Sequence, residues 1–321
     1  MEHTHDYRID RLRLLACFGV VMLHSSYGTG IGDLALNAMF RFSVPVFVII
    51  SGYFMFPTSP RVSGIWKKLY RLFLKMVLCS GVYLLYSLSK GNPLPAQPIL
   101  YLLTEPIHLW YLYATMGLYL LTPALVPFVR SADQKEYRYA LAVCFLLGSC
   151  VVTLDRLNWF PLLSTILDKS KLPVMLGFTG LYLLGGYFRK FGIHCRFWLI
   201  AWVLSTAASV AVSGTPLAGD LLGFLSPNVV ISGCACFAVI MTLPDVSDRF
   251  RRPLRSAAEC TMGVYLLHML LCDLITPHMG LSRQIMGGAA TMALRGICTF
   301  AVTMIVVWLL RKIPLLKKWM L

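Results

Sequence analysis

Long apolar stretches, separated by short polar segments, run the whole length of the chain. A helix needs about 20 apolar residues to cross the hydrocarbon core of a bilayer, and ten stretches come near that length. The pattern predicts an all-α, polytopic membrane protein with about ten transmembrane helices, forming a single integral-membrane domain over residues 1–321. The predicted spans are Leu12–Tyr27, Leu36–Phe56, Leu72–Leu88, Leu109–Val129, Tyr139–Leu154, Pro173–Phe188, Phe197–Val212, Leu221–Leu243, Ala257–Pro277 and Ala290–Leu310.

The composition supports this interpretation. Only 13% of the residues are charged and the mean hydropathy is +0.71, whereas about 25% of a soluble protein is charged. Too little polar material is left to cover a water-facing surface, which favours one polytopic membrane unit. The composition excludes a disordered chain, a collagen-like fibre and a secreted disulfide scaffold. The ten cysteines form no C-x-x-C pair and lie almost entirely in apolar stretches, so we interpret them as buried thiols and predict no metal site.

The net charge of +15 has two interpretations, a nucleic-acid surface or the cytoplasmic loops of a membrane protein. The basic residues lie in short clusters between apolar stretches, which favours the loops and predicts no nucleic-acid partner. Alternate loops on the N-terminal side hold twenty-one Lys and Arg, and the opposite loops hold five. This bias predicts that both termini face the cytoplasm of a cell (plasma) membrane, with lipids as neighbours.

Ionisable groups inside membrane spans are costly, so each one is a candidate for function. For Lys75 and Arg295 we favour snorkelling or a structural pair, and for Glu259 a pair with a loop arginine. The full set is Arg13, His24, Arg41, Lys75, Glu259, His268, Asp273 and Arg295.

Arg13 and His24 stand out because of their spacing in the first span. Eleven residues turn a helix by about 1100°, roughly 20° past three full turns, so both side chains leave one face. They lie about 16 Å apart along the axis. One face therefore carries a fixed cation at one depth and a titratable base at another.

Two further segments combine polar and special residues. In the second span Arg41 precedes Pro45, which we expect to break the helix, and Gly52, which permits close helix packing. At the start of the fourth span, Glu105 and His108 lie beside the interface residue Trp110 and are candidates to line an entrance.

These residues carry a resemblance to the acyltransferase-3 family. The run from Asp10 to Arg13, followed by His24, resembles its R-x10-H signature. The segment from Arg41 to Phe54, containing Val44-Pro45 and Ser51-Gly52-Tyr53, is similar to the family's second motif. His108-Leu109-Trp110 and the helix ending in Tyr265-Leu266-Leu267-His268 resemble two later motifs, in family order.

The resemblance implies transfer of an acyl group, usually acetyl from acetyl-CoA as co-substrate, to a hydroxyl of a sugar or another envelope molecule. No permanently bound cofactor is implied, and the form resembled is a short bacterial one. His24 suits a general base near neutral pH, and arginines suit CoA phosphates. The implied catalytic residues are His24, Arg13 and Asp10; the implied substrate- or CoA-binding residues are Arg41, Arg71, Lys67, Lys68, Ser51, Tyr53, Glu105, His108, Trp110 and His268.

A second function stays open. Arg13, Arg41 and His24 could instead line the path of an anionic or acylated solute through a transporter, for which broken helices near Pro45 and Pro227 are suited.

Overall fold

The computed structural model describes residues 5–26, 30–58, 62–104, 107–157, 172–194, 196–279 and 288–319. The regular secondary structure of these residues is entirely helical, as the sequence predicts. In chain order the α-helices are α1 (Tyr7–His24), α2 (Ile31–Phe40), α3 (Ser43–Thr58), α4 (Val62–Ser89), α5 (Pro98–Thr104), α6 (Trp110–Ser131), α7 (Gln134–Phe145), α8 (Val151–Arg156), α9 (Leu172–Phe191), α10 (Trp198–Ser213), α11 (Ala218–Leu221), α12 (Pro227–Thr242), α13 (Asp248–Ala258), α14 (Thr261–Ile275), α15 (Gly288–Leu310) and α16 (Pro314–Trp319).

Shorter helical turns join some of these elements. The 3-10 turns Ile107–Leu109 and Thr276–Met279 precede α6 and follow α14, and a π-helical turn, Leu146–Cys150, joins α7 to α8. Each of the ten predicted spans overlaps at least one α-helix, although several boundaries move.

Helix α1 lies at the centre of the bundle. It starts where the Asp6 side chain accepts a hydrogen bond from the Arg8 amide at 3.1 Å, a standard N-cap. It then packs against α2, α3 and α12 to α15. Leu12 and Val21 are fully buried on it, and Asp10 is only 2% exposed. The helix that carries both signature residues is therefore surrounded by protein.

Helices α3 and α9 approach each other closely, and two glycines permit it. A Cβ atom at Gly52 would overlap the carbonyl oxygen of Tyr182, and one at Gly185 would overlap that of Ile49. Small residues let helix backbones come together in this way in membrane proteins. The predicted packing role of Gly52 is confirmed.

The predicted helix break at Pro45 is wrong in position. α2 ends at Phe40, a turn occupies Arg41 and Phe42, and α3 starts at Ser43. Pro45 is the third residue of α3, where a backbone amide has no partner within the helix, so proline is tolerated there. The break in regular helix therefore lies at Arg41 and Phe42, while α2 and α3 together still form one apolar helical stretch, Ile31–Pro57. The predicted span Leu221–Leu243 is also broken, near Pro227 as expected, because Pro227 is the first residue of α12.

Among the described residues, five helical stretches are long and apolar enough to cross a membrane: Ile31–Pro57, Gly64–Ser89, Trp110–Ser131, Gln134–Arg156 and Gly288–Leu310. The pair Asp248–Ala258 and Thr261–Ile275, bent by 55°, makes a sixth if it is one broken span. Helix α1 carries four charged residues in its first seven positions, which lowers its hydropathy. The count of ten spans and the location of the termini stay predictions.

Buried and paired groups agree with several expectations. The nine cysteines within the described residues are free thiols, and seven of them are buried. Glu259 accepts hydrogen bonds from Arg311 at 2.7 Å and from Arg255 at 3.3 Å, which confirms its predicted pairing. Arg295 is 7% exposed and donates to the Ser25 carbonyl at 3.3 Å.

Candidate active site

Arg13 lines a cavity of about 570 Å³ between α1, α3, α4, α6 and α14. Its wall is mostly apolar, and its basic side chains are Arg13, Lys68 and Arg71. We call it the Arg13 cavity. The acidic Glu259 also lines it, and its carboxylate is paired with Arg311 and Arg255. Arg13 also lies over the ring of Phe54, with its guanidinium carbon 5.1 Å from the ring centre. An apolar cavity with a few cations suits an elongated ligand that carries an anionic end.

His24 lines a second cavity, of about 270 Å³, which we call the His24 cavity. Arg41 stands in its wall, where it donates to the Leu222 carbonyl at 2.7 Å and to the Asn37 side chain at 3.0 Å. Two fixed hydrogen bonds hold the guanidinium in place. The break between α2 and α3 brings Arg41 to this position.

An aromatic pair forms another part of the His24 cavity. The rings of Trp110 and Phe224 are stacked, with centres 5.6 Å apart and an angle of 24° between planes. Arg41 lies over Phe224 at 5.4 Å from its ring centre. The cavity thus offers a cation, two aromatic side chains and a histidine to one small ligand.

His24 belongs to a cluster of three histidines that come from distant parts of the chain. The centre of its ring is 5.2 Å from that of His268 and 6.1 Å from that of His108, and the rings of His108 and His268 are 5.2 Å apart. His108 lines the His24 cavity, whereas His268 lines neither cavity. Within the described residues, no group of His, Cys, Asp and Glu is arranged to hold a metal ion.

The two cavities share part of their walls. Phe47, Tyr111 and Tyr265 line both of them. The Tyr111 ring lies 6.1 Å from each of the other two rings, centre to centre. We call these three residues the aromatic wall. A ligand in one cavity is separated from a ligand in the other by little more than these side chains.

The remaining predicted site residues fall into two groups. Ser51 lines the Arg13 cavity with Arg71 and Lys68, and Trp110 lines the His24 cavity with Arg41 and His108. Asp10, Tyr53, Lys67 and His268 line neither cavity. Glu105 lies outside the described residues.

Three of the predicted residues have other environments: Asp10 and Tyr53 pair with other side chains, and Lys67 is exposed. Asp10 accepts a hydrogen bond from His5 at 2.5 Å and lies 3.8 Å from the Arg13 guanidinium. The Tyr53 hydroxyl accepts from Arg189 at 3.1 Å. Lys67 is exposed on α4, one residue away from the cavity-lining Lys68.

Sequence reasoning missed the aromatic wall and the histidine cluster. Tyr111 and Tyr265 sit in apolar helices, where an aromatic residue ordinarily means packing. Nothing in the spacing of His24, His108 and His268 indicates contact, because they lie on different helical segments. His5, the partner of Asp10, carries no sequence signal either.

Fold and site together define an all-helical membrane protein in which a histidine cluster borders one of two adjoining cavities. The chain belongs to the acyltransferase-3 family, since residues 6–312 match the family model described as an acyltransferase domain. It is a membrane acyltransferase of that family.

One curated protein that the chain resembles is a serine/alanine racemase from Enterococcus gallinarum, at 31% identity over 172 residues. The match covers 48% of this chain and 23% of the racemase, so the chain spans only a minor part of that relative. No solved structure matches.

Proposed function

We propose that the protein moves an acyl group, acetyl in the simplest case, from acyl-CoA to a hydroxyl of a cell-envelope sugar or glycan precursor. The observation that carries the proposal is that Arg13 and His24 line separate cavities that meet at one aromatic wall. A two-substrate transfer needs such a pair of sites, one for each substrate.

The Arg13 cavity is the proposed donor site. Arg13, Lys68 and Arg71 supply three cations around an apolar volume, which suits the phosphates and the slender acyl-bearing arm of CoA. The positive-inside bias of the loops would place this cavity on the cytoplasmic side, where CoA is available. We do not propose that Tyr53 and Lys67 contact the donor, because they line neither cavity.

The His24 cavity is the proposed acceptor site. The Trp110 and Phe224 side chains suit the apolar face of a sugar ring, and Arg41 and Asn37 suit its oxygens. His24 stands in the same wall, within reach of a hydroxyl on a ligand of that size.

In the proposed reaction the thioester end of the donor reaches past the aromatic wall into the His24 cavity. A neutral His24 takes the proton of the acceptor hydroxyl as that oxygen attacks the thioester carbonyl. A new carbon–oxygen bond forms and the carbon–sulfur bond breaks. The CoA thiolate leaves and receives the proton from the His24 imidazolium. The products are an acyl ester and CoA thiol, so atoms and charge balance.

The test uses purified protein in detergent with radiolabelled acetyl-CoA and an extract of envelope glycans. We expect CoA thiol release and base-labile label on glycan, because acyl esters are cleaved by mild base. Both signals should disappear in the matched His24→Ala protein.

A transporter is the second candidate, because two cavities that meet at one wall also suit alternating access to a solute. The same experiment separates the candidates. Transport needs a sealed membrane and transfer does not, so a protein that is inactive in detergent but moves an anionic solute into vesicles would be a carrier.

A further inference from the structure

Arg41 lies within Ile31–Pro57, a stretch long and apolar enough to cross a membrane, and its described partners are neutral. Its Nε atom donates to the Asn37 side-chain oxygen at 3.0 Å, and its Nη1 atom donates to the Leu222 carbonyl oxygen at 2.7 Å. The Phe224 ring, whose centre is 5.4 Å from the guanidinium carbon, has no net charge either. These contacts orient the guanidinium but leave its positive charge unbalanced.

No acidic side chain balances Arg41 within the part of the chain that the structure describes. Of the described side chains that line the His24 cavity, none is Asp or Glu, and none of the described ion pairs includes Arg41. The Arg13 cavity differs, because Asp10 lies 3.8 Å from Arg13 and Glu259 lines that cavity. An unpaired cation within a membrane span is costly in free energy. An anion bound in the His24 cavity would remove this cost.

We propose that the acceptor carries an anionic group, a carboxylate or a phosphate, which binds Arg41 in the His24 cavity. Both groups match the planar guanidinium, which can donate to two of their oxygens at once. Asn37 and Leu222 accept one hydrogen each, which leaves one hydrogen on Nη1 and two on Nη2 for the ligand. The inference rests on the proposed function in taking the His24 cavity as the acceptor site.

The same anion suits the proposed proton transfer. A His24 ring that has taken the proton of the acceptor hydroxyl is a second cation in a cavity that already holds Arg41. An anionic group on the acceptor attracts both cations and so offsets their mutual repulsion, which a neutral acceptor does not do. An acidic sugar is therefore favoured over a neutral one in binding and in reaction.

The chemistry of the acceptor is tested by separating the envelope glycan extract on an anion-exchange column. With radiolabelled acetyl-CoA, we expect the wild-type protein to label the acidic fraction and to leave the neutral fraction unlabelled. Carbodiimide activation with borohydride reduction converts carboxylates to alcohols, and cold aqueous hydrofluoric acid cleaves phosphate esters. One of these treatments, applied beforehand to the acidic fraction, should abolish its labelling and so identify the group. Equal labelling of the neutral fraction, or labelling that survives both treatments, would overturn the proposal.

Two substitutions of Arg41 separate binding of an anion from support of the turn between α2 and α3. Arg41→Lys keeps the charge, whereas Arg41→Gln keeps a hydrogen-bond donor and loses the charge. We expect Arg41→Gln to raise the KM for the acidic fraction about 10-fold or more and to leave the KM for acetyl-CoA unchanged. Arg41→Lys should raise the KM for the acidic fraction less. Equal losses in both variants would indicate a structural role alone and would overturn the proposal.

Asn37 provides a sharper comparison because its side-chain oxygen already contacts Arg41. Asn37→Asp places a carboxylate oxygen there and balances the charge within the protein, so labelling of the acidic fraction should fall as it does in Arg41→Gln. Asn37→Ala is the matched control, since both variants lose the hydrogen bond from the Asn37 amide to the Leu23 carbonyl at 3.3 Å, and alanine adds no charge. A fall in Asn37→Asp no larger than that in Asn37→Ala would contradict the proposal.

Melting temperature in detergent measures binding of the acidic fraction even in a protein that transfers nothing. The acidic fraction should raise the melting temperature of the wild type more than those of Arg41→Gln and Asn37→Asp, because a ligand stabilises the folded protein that binds it. If all three proteins gain equally, the acidic fraction binds elsewhere and the proposal fails. Failure of the proposed function is a different result, namely a wild-type protein that labels neither fraction.

Discussion

Arg13 and His24 lie on one helix, α1, about 16 Å apart along its axis, and each lines a cavity that the other does not line. The two roles proposed for them, holding the donor and taking a proton, are therefore separated in space. Substitutions at the two positions should affect different measured quantities.

Arg13 tests the donor site. Arg13→Lys keeps the charge but loses the planar fork, so it should weaken CoA binding, and Arg13→Ala should weaken it about 10-fold or more, as expected for loss of a charge-assisted hydrogen bond. Calorimetric titration of CoA measures both. The competing interpretation is that Arg13 only pairs with Asp10, which lies 3.8 Å away. That interpretation requires wild-type CoA affinity in folded Arg13→Ala protein.

Two adjacent lysines provide a matched pair for the same site. Lys68 lines the Arg13 cavity, and Lys67 is exposed and lines neither cavity. We expect Lys68→Ala to raise the KM for acetyl-CoA and to reduce its dependence on salt, because one phosphate contact is lost. Lys67→Ala should leave both close to wild type. Equal effects of the two substitutions would mean that general surface charge, and not the cavity, attracts the donor.

The aromatic wall should keep water from the donor. Phe47→Ala removes a ring that both cavities share, so we expect faster hydrolysis of acetyl-CoA in the absence of acceptor. Ile50→Ala is the control, since Ile50 lies on the same helix and lines only the Arg13 cavity. If the rate of acetyl-CoA hydrolysis rises equally in both variants, loosened packing is the cause. The aromatic wall would then not separate the donor from water.

Packing of α3 against α9 should depend on Gly52. A methyl group there meets the Tyr182 carbonyl oxygen, so Gly52→Ala should lower the melting temperature in detergent. Gly81→Ala, in α4, is the control because nothing lies within 4 Å of its Cβ position. The control should be neutral or slightly stabilising, since alanine favours a helix over glycine by about 1 kcal/mol. A Gly52→Ala protein as stable as the control would show that the close approach is not needed.

Much of the fold follows from the sequence because apolar length is a local property. The predicted spans Leu72–Leu88 and Ala290–Leu310 each lie within one helix of the structure. The sequence predicts a helix break at Pro45, whereas the break lies at Arg41. Proline is tolerated in the first turn of a helix, and whether Pro45 lies in a first turn depends on where α3 starts. Arg41, the unexplained charge of that segment, marks the actual break.

The candidate site was harder to predict than the fold. Helical periodicity relates Arg13 to His24 because both lie on one helix. It does not relate His24 to His108 or His268, whose contact depends on how α1, α6 and α14 pack. Lys67 and Lys68 are neighbours in the sequence, but their environments differ. The helix presents Lys68 to a cavity and Lys67 to the outside, and this depends on helix packing.

The central claim is that His24 is the base for transfer from acyl-CoA, and one measurement tests it most directly. Turnover of acetyl-CoA with glycan extract is compared between wild type, His24→Ala and His194→Ala, which removes an exposed histidine that lines neither cavity. We expect His24→Ala to lose about 10² to 10⁴ in rate with CoA affinity retained, and His194→Ala to stay near wild type. Near-normal turnover in folded His24→Ala protein would contradict the account.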